Sequence, residues 1–305
     1  MMVTLADIQR AHERLQAHLT PTPLVPAPAL GAHAWLKLEN QNLTGAFKIR
    51  GALNAVLSLS DGARAQGVVA ASSGNHAGAL AYACHLAGVT LKLVVPSHTP
   101  QAKLNNIRRW GADVDTTSAN YDEAEARARR IEADEGRAFI SPYNDAWVIA
   151  GAGTIGLEIV AQLPDVGRVV VCVGGGGLVS GVGTAIKALR PSCEVVGVCA
   201  ESAPAMYNHM HNARLPENWE TLAEALSGDI EAGSLTLAIA PRVVDRLLLA
   251  SEAHIAQAMR FLQEACGQIA EGGGSVGVAA CLAGALLLDS TPTAIIVSGG
   301  NVDRA

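Results

Sequence analysis

The sequence predicts an α/β fold of two doubly wound, mainly parallel sheets facing each other across a cleft. Three observations carry this reading. Apolar runs such as GVVAAS (67–72), VGRVVVCVG (166–174) and TAIIV (293–297) alternate with helical stretches along most of the chain. These runs are apolar throughout, the pattern of strands covered on both faces. The chain is 50% hydrophobic but only 4% aromatic, with 31 glycines, so its core must be built from small aliphatic residues that let layers pack closely.

Taken in order, Leu5, Ile8, Leu15 and Leu19 recur near helical spacing and predict a helix over 4–19, with Thr4 and Asp7 placed as a cap. The prolines of TPTPLVPAPAL (20–30) exclude a helix there. WLKLE (35–39) reads as a short strand, NQNLTGAF as a loop, and a helix begins near Phe47. The first alternating group follows: strands at 67–72, 91–96, 112–117 and 138–141, with helices at 75–88, 101–111 and 121–136. Gly88 fits a left-handed cap, and the Glu/Arg mixture of 121–136 reads as a solvated face. The second group has helices at 154–163, 179–190, 254–267 and 275–288, and strands at 166–174, 194–201 and 293–300. Residues 203–235 read as irregular. A lone helix and strand would not fold unaided, so the first segment is expected to pack with the second group. The division is then 1–62 with 146–305 as a large domain and 63–145 as a small one.

Composition excludes several functions. A net charge of −6 without a basic stripe argues against nucleic-acid binding. No Lys/Arg block marks a membrane surface, no apolar run is long enough to span one, and the N-terminus has no apolar signal core. None of the six cysteines forms a CxxC pair and most lie in apolar runs, which predicts buried free thiols in a reducing cytoplasm.

Three turns after strands concentrate the chemistry, since open parallel sheets bind ligands at the C-terminal ends of their strands. SSGNHAG (72–78) exposes backbone N–H groups at a helix start, an anion site. A cap alone needs one such residue, not five in a row. GGGGLVSG (174–181) lets the backbone curl around a tetrahedral anion. It is not a Walker loop. Nor does it keep G-x-G-x-x-G spacing, since Val179 stands where the third glycine belongs; Glu194 and Glu201 fall only loosely where a ribose-binding acid would be sought. SGGN (298–301) ends the last strand. Lys48 sits between Phe47 and Ile49 in TGAFKIRG. A lysine at a helix start usually snorkels to solvent, but a partly desolvated one can attack a carbonyl as the free amine. A phosphate-bearing aldehyde held covalently by Lys48 explains all four features together.

These motifs, KLENQNLTGAFKIRGALNA (37–55), SSGNHAGALA (72–81), AGAGTIGLE (150–158), VGGGGLVSG (173–181) and SGGN (298–301), resemble the threonine/serine dehydratase and serine racemase branch of the fold type II pyridoxal-phosphate enzymes. The resemblance covers nearly the whole chain. It implies a large cofactor-binding domain, a small substrate-side domain and pyridoxal 5'-phosphate in the cleft. Lys48 would hold the cofactor and act as the base, with Phe47 against the ring and Asn75 on the ring hydroxyl. Gly174, Gly175, Gly176, Gly177 and the Leu178 N–H would hold the phosphate, and Ser298 would face the pyridine nitrogen. Ser72, Ser73, Gly74 and His76 would take the substrate carboxylate. The implied activity is β-elimination of a β-hydroxy amino acid such as L-threonine or L-serine to a 2-oxo acid and ammonia. The alternatives are an amino-acid racemase, with Ser73 as a second catalytic group on the opposite ring face, and a phenylserine-type dehydratase. A homodimer and a small amino-acid substrate are implied as partners.

The sequence departs from the family in places. A divalent cation (Mg, Mn or Ca) is bound in part of the family by a Glu and a following Asp. Glu201 matches the first, but Tyr207 stands at the second. The usual Gln of the AGxGT turn is Ala152, and 220–236 is longer than the common racemase form. No cation is clearly placed for a second substrate carboxylate, Arg50 excepted, which favours serine, threonine or a bulkier β-hydroxy amino acid over hydroxyaspartate. The sequence stops at Ala305, just after SGGN, so feedback inhibition by isoleucine through an appended domain is not expected.

Overall fold

The computed structural model describes residues 2–218 and 220–302. The chain opens with α1 (Leu5–Leu15), β1 (Leu24–Pro26) and β2 (Ala34–Leu38). Then come α2 (Lys48–Leu57), α3 (Asp61–Gln66), β3 (Val68–Ala71), α4 (Asn75–Ala87), β4 (Leu91–Pro96), α5 (Gln101–Arg108), β5 (Asp113–Ser118), α6 (Tyr121–Glu135) and β6 (Ala138–Phe139). The remainder is α7 (Ala146–Gln162), β7 (Arg168–Cys172), α8 (Gly177–Leu189), β8 (Glu194–Ala200), α9 (Ala205–His211), α10 (Leu235–Val243), β9 (Arg246–Ala250), α11 (Glu252–Cys266), α12 (Gly272–Leu282) and β10 (Thr293–Val297).

These strands form two sheets, ordered β1-β2-β10-β7-β8-β9 and β5-β4-β3-β6. All pairings are parallel except β1 with β2. The N-terminal strands therefore join the sheet of the second group, with β10 seated between β2 and β7. The predicted caps are present: Thr4 and Asp7 form a reciprocal capping box, and Gly88 closes α4 at φ 67. All six cysteines are free.

Several elements differ from the sequence reading. The helix read over 154–163 is present but longer: the AGxGT stretch (150–154), read as a turn, lies inside α7, which starts at Ala146 under an Asp145 cap. The reason is packing: a Cβ on Gly153 would lie 2.7 Å from Ile8 and 2.9 Å from the Gly181 carbonyl, and one on Gly156 would lie 2.8 Å from Ala185. The small residues that look like a turn bring α7 against α1 and α8. The stretch 203–235, read as irregular, contains α9; residue 219 lies outside the described residues. The short elements α3, α10 and β9 carry too little periodicity to stand out. Helix α12 starts three residues earlier than the 275–288 reading and ends at Leu282.

A buried ionic lattice joins the first segment to α7. Lys37 donates to Glu158 at 2.6 Å, and Arg50 donates to Glu158 at 2.6 Å and to Glu39 at 2.8 Å. The Thr22 hydroxyl and the Asn42 amide complete the Glu39 carboxylate. Burial pushes the Glu39 carboxyl up, but the Arg50 guanidinium and these hydrogen bonds outweigh it and hold its pKa below the ordinary value. Breaking one partner of such a cluster costs about 3–5 kcal/mol, because the remaining charge is left buried. Arg50→Met is expected to lose stability of that order in urea unfolding at neutral pH, followed by circular dichroism. A depressed carboxyl contributes fully above its unfolded pKa and fades as pH falls through its folded one, so the difference from wild type shrinks in acid. A loss below ~1 kcal/mol at neutral pH would mean the carboxylates are solvated instead.

Candidate active site

Two sheet ends and two helix starts meet around Lys48. It is the first residue of α2, placed there by the bridge between Ala46 and Gly299 and by the Phe47 N–H donating to the Ser298 carbonyl at 2.9 Å. The TGAF loop is thus stitched to the end of β10. The Lys48 amine turns inward, donates to the Pro142 carbonyl at 2.7 Å and lies 5.1 Å from the centre of the Phe47 ring. Burial pulls its pKa down to about 8, against the opposing pull of Cys172 and Glu271.

The SSGN turn leaves β3 and opens α4. Ser72 and Ser73 are half-buried, Gly74 is exposed, and the Ser72 hydroxyl accepts from the Gly74 N–H at 3.3 Å. Asn75 donates to the Glu271 carboxylate at 2.7 Å. His76 is buried behind the turn, with Nε2 3.0 Å from the Ile140 carbonyl. A carbonyl only accepts, so Nε2 carries the hydrogen and Nδ1, which has no hydrogen-bond partner, is the lone pair. Burial and the neighbouring Lys48 pull the His76 pKa down to about 3, so the ring is neutral.

The GGGG turn leaves β7 and opens α8 with Gly176 at φ 84, a conformation that suits glycine. There is no room for side chains here. A Cβ on Gly174 would lie 2.6 Å from the Leu226 carbonyl, one on Gly175 2.6 Å from the Tyr143 ring, and one on Gly176 2.5 Å from Met206. Two buried hydroxyls, Ser180 on the first turn of α8 and Thr44 in the TGAF loop, have no partner. Ser298 is buried at the end of β10, and burial holds the Cys172 thiol up at about 11 against the opposing effect of Ser298.

A backbone cradle without side chains, orphaned hydroxyls and an inward lysine amine suit a phosphate-bearing aldehyde. A pyridoxal-phosphate-dependent enzyme family matches residues 15–299. The chain belongs to that family. An L-threonine ammonia-lyase of Thermotoga maritima is 42% identical, over 99% of this chain and 76% of that protein. Two solved structures superpose closely. Serine racemase from Dictyostelium discoideum has TM-score 0.92 and 34% identity over 99% of both chains. A threonine deaminase from T.th. has TM-score 0.90 and 34% identity over 99% of both. Pyridoxal phosphate is therefore the cofactor of this enzyme, and the α/β architecture is that of fold type II.

The structure brings Phe47, Lys48, the SSGNH turn, the GGGG cradle and Ser298 into one region. It does not build a metal site on Glu201. That residue is exposed, Tyr207 stacks on His211, and no group of three potential ligands occurs among the described residues. Sequence reasoning missed Tyr143, Glu271 and the Asn301 side chain. For Glu271 a signal existed: EGGGS (271–275) places an acid directly before three glycines at a helix start. Burial pushes the Glu271 carboxyl up to about 7, against the pull of Asn75 and Lys48.

Gly176→Ala tests the cradle. Its positive φ and its contact with Met206 each cost about 1–3 kcal/mol. The purified variant should carry less than about a tenth of the wild-type cofactor, read as visible absorbance per protein, with its circular dichroism unchanged. Full cofactor content would show that the phosphate lies elsewhere.

Proposed function

We propose that this enzyme is an ammonia-lyase that removes water from a β-hydroxy amino acid such as L-threonine or L-serine; the enamine so formed becomes an imine, which takes up water and releases ammonia to give a 2-oxo acid. The observation that carries the reading is the Lys48 amine, held inward at Pro142 within reach of the Asn75 and Ser298 turns. The names of the relatives above support it.

When bound, pyridoxal phosphate supplies an electron sink for the pair left at Cα. The chain's own residues do the rest. Lys48 would hold the cofactor's aldehyde carbon, and its Nζ would take the α-proton. Burial favours the neutral form this needs. Gly174 to Gly177 and the Leu178 N–H would hold the phosphate, Asn75 the ring hydroxyl and Ser298 the ring nitrogen, with Phe47 beside the ring. The substrate carboxylate lies on Ser72, Ser73 and the backbone N–H groups of the α4 start. His76 contributes its main-chain N–H, because its ring offers only a lone pair. The large and small domains of the sequence reading then supply the cofactor side and the substrate side of one cleft.

Arg50 is consumed by Glu39 and Glu158, so it is not free for a second substrate carboxylate. Tyr143 stands on the cradle with Glu231, Glu125 and Asp229 near enough to push its hydroxyl pKa up, after burial itself. That acidic surrounding favours a substrate whose β-substituent is uncharged. A racemase activity is the second reading, supported by Ser73 in the carboxylate turn and by the likeness to serine racemase. Six free thiols support a reducing cytoplasm. The homodimer rests on the family resemblance and is read by sedimentation velocity.

The central test follows 2-oxo acid release from L-threonine and L-serine. Lys48→Ala should lower kcat by about 10²–10⁴, the worth of a positioned base, and should not become covalently labelled on borohydride reduction. Wild-type protein that takes up cofactor but releases no oxo acid from either substrate would sink the lyase reading. Chiral analysis of serine separates the second: Ser73→Ala should lower D-serine formation more than pyruvate formation, and an equal fall in both would remove Ser73 as a second base.

A further inference from the structure

Asn75 forms a chain of side-chain hydrogen bonds with Asn301 and Glu271, two residues that the reaction outlined above does not use. Asn301 Nδ2 donates to the Thr44 carbonyl at 2.9 Å and to Asn75 Oδ1 at 2.8 Å. Asn75 Nδ2 donates to Glu271 Oε1 at 2.7 Å. The two ends of a carboxamide are nearly equal in shape and opposite in hydrogen-bonding character, so something must decide which way each one faces.

Here the backbone decides. The Thr44 carbonyl can only accept, so Asn301 must turn its NH₂ group toward it. The second hydrogen of that group then points at Asn75, which must answer with its oxygen. The Glu271 carboxylate makes the same demand from the other side, because it accepts the Asn75 NH₂. Asn75 is thus left with its oxygen taken, one N–H taken and one N–H uncommitted. The neighbouring glycines make room for the chain: a Cβ on Gly45 would strike the Asn301 carboxamide, and one on Gly299 would strike the Glu271 carboxylate. The Glu271 N–H donates to the Gly299 carbonyl at 3.0 Å, which fixes that carboxylate over the end of β10.

We propose that Asn301 and Glu271 are positioning residues that lock the Asn75 carboxamide so that its free N–H faces the ring oxygen of bound pyridoxal phosphate. This rests on the reading above that Asn75 faces the cofactor. A donor there stabilises the ionised ring oxygen. A flipped Asn75 would set oxygen against oxygen, weakening cofactor binding and raising the pH at which the bound chromophore changes protonation.

Asn301→Asp replaces the donor by an acceptor of the same shape. In the holoenzyme it should weaken cofactor retention on the order of ten-fold, the worth of about one hydrogen bond, and shift the midpoint of the pH-dependent visible spectrum upward. In an Asn75→Ala background the same substitution should change retention by less than about two-fold, since no carboxamide remains to flip. A merely structural role would give equal effects in both backgrounds, and that result, or no effect in either, overturns the inference. Should Asn301→Asp not fold, Glu271→Leu carries the same comparison, with Glu271→Gln, whose oxygen still accepts, restoring the wild-type spectrum. Asn75→Ala that leaves retention and spectrum unchanged would instead overturn the reading that Asn75 faces the cofactor.

Discussion

The position of Lys48 depends on a buried charge cluster two residues away. Arg50 cannot be taken into the interior unpaired, and the fold meets that cost by giving it Glu39 from the end of β2 and Glu158 from α7. Lys37 shares Glu158 and reaches the Thr22 carbonyl, so the first segment, α2 and α7 are tied at one point. Such clusters add little net stability over an apolar core, but they tolerate few alternative geometries. The first turn of α2 therefore has one orientation, and Lys48 at its head has one direction to face. The same fact removes Arg50 from substrate recognition. One set of charges both aims the reactive amine and narrows the choice of substrate.

Close approach is the second constraint. Helices α7 and α8 meet through Gly153, Gly156 and Gly181, and the phosphate cradle is closed by Leu226, Tyr143 and Met206 against bare glycine backbone. A chain poor in aromatics and rich in Ala and Gly is what this arrangement demands. It also means that Tyr143, just beyond β6 of the four-stranded sheet, rests on a turn that belongs to the six-stranded one. The Glu231 N–H donates to the Tyr143 hydroxyl at 3.2 Å and the Leu235 N–H to Asn144 at 2.9 Å. The segment around 226–235, without regular periodicity, thus roofs the cradle.

What could be read from sequence follows from locality. Lys48, SSGNH and GGGG each place their chemistry within a few consecutive residues after an apolar strand, where geometry is set by the turn itself. Thr4, Asp7 and Gly88 were legible for the same reason. Asn301 was not, because its contacts are to Asn75 and Thr44, more than 220 and 250 residues away, and the EGGGS signal at Glu271 gives no hint that its partner is Asn75, more than 190 residues away. The GAGTIG stretch of α7 misled in the opposite direction. Glycine there signals a neighbouring helix, and local propensity cannot tell that from a turn. Helix α9 escaped because its polar, histidine-rich sequence buries only Met206, so it shows no apolar period.

The electrostatics of the site follow from what the cradle lacks. The residues that close it are Leu226, Tyr143, Met206 and Thr236, none of them cationic. An anion there would meet only backbone N–H groups and the positive end of α8, which act within the first turn. Such binding depends on position far more than a lysine or arginine clamp does, since a flexible side chain can follow its ligand and a helix start cannot. Across the site burial moves the remaining ionisable groups toward their neutral forms. The Lys48 amine is drawn down to about 8, the Glu271 carboxyl is pushed up to about 7, and His76 is uncharged. With no cationic side chain packed on the GGGG turn, orientation of an anion there falls to neutral hydrogen-bond donors. Donors of that kind select by geometry, and the direction of the Asn75 carboxamide is set by Glu271 on one side and Asn301 on the other.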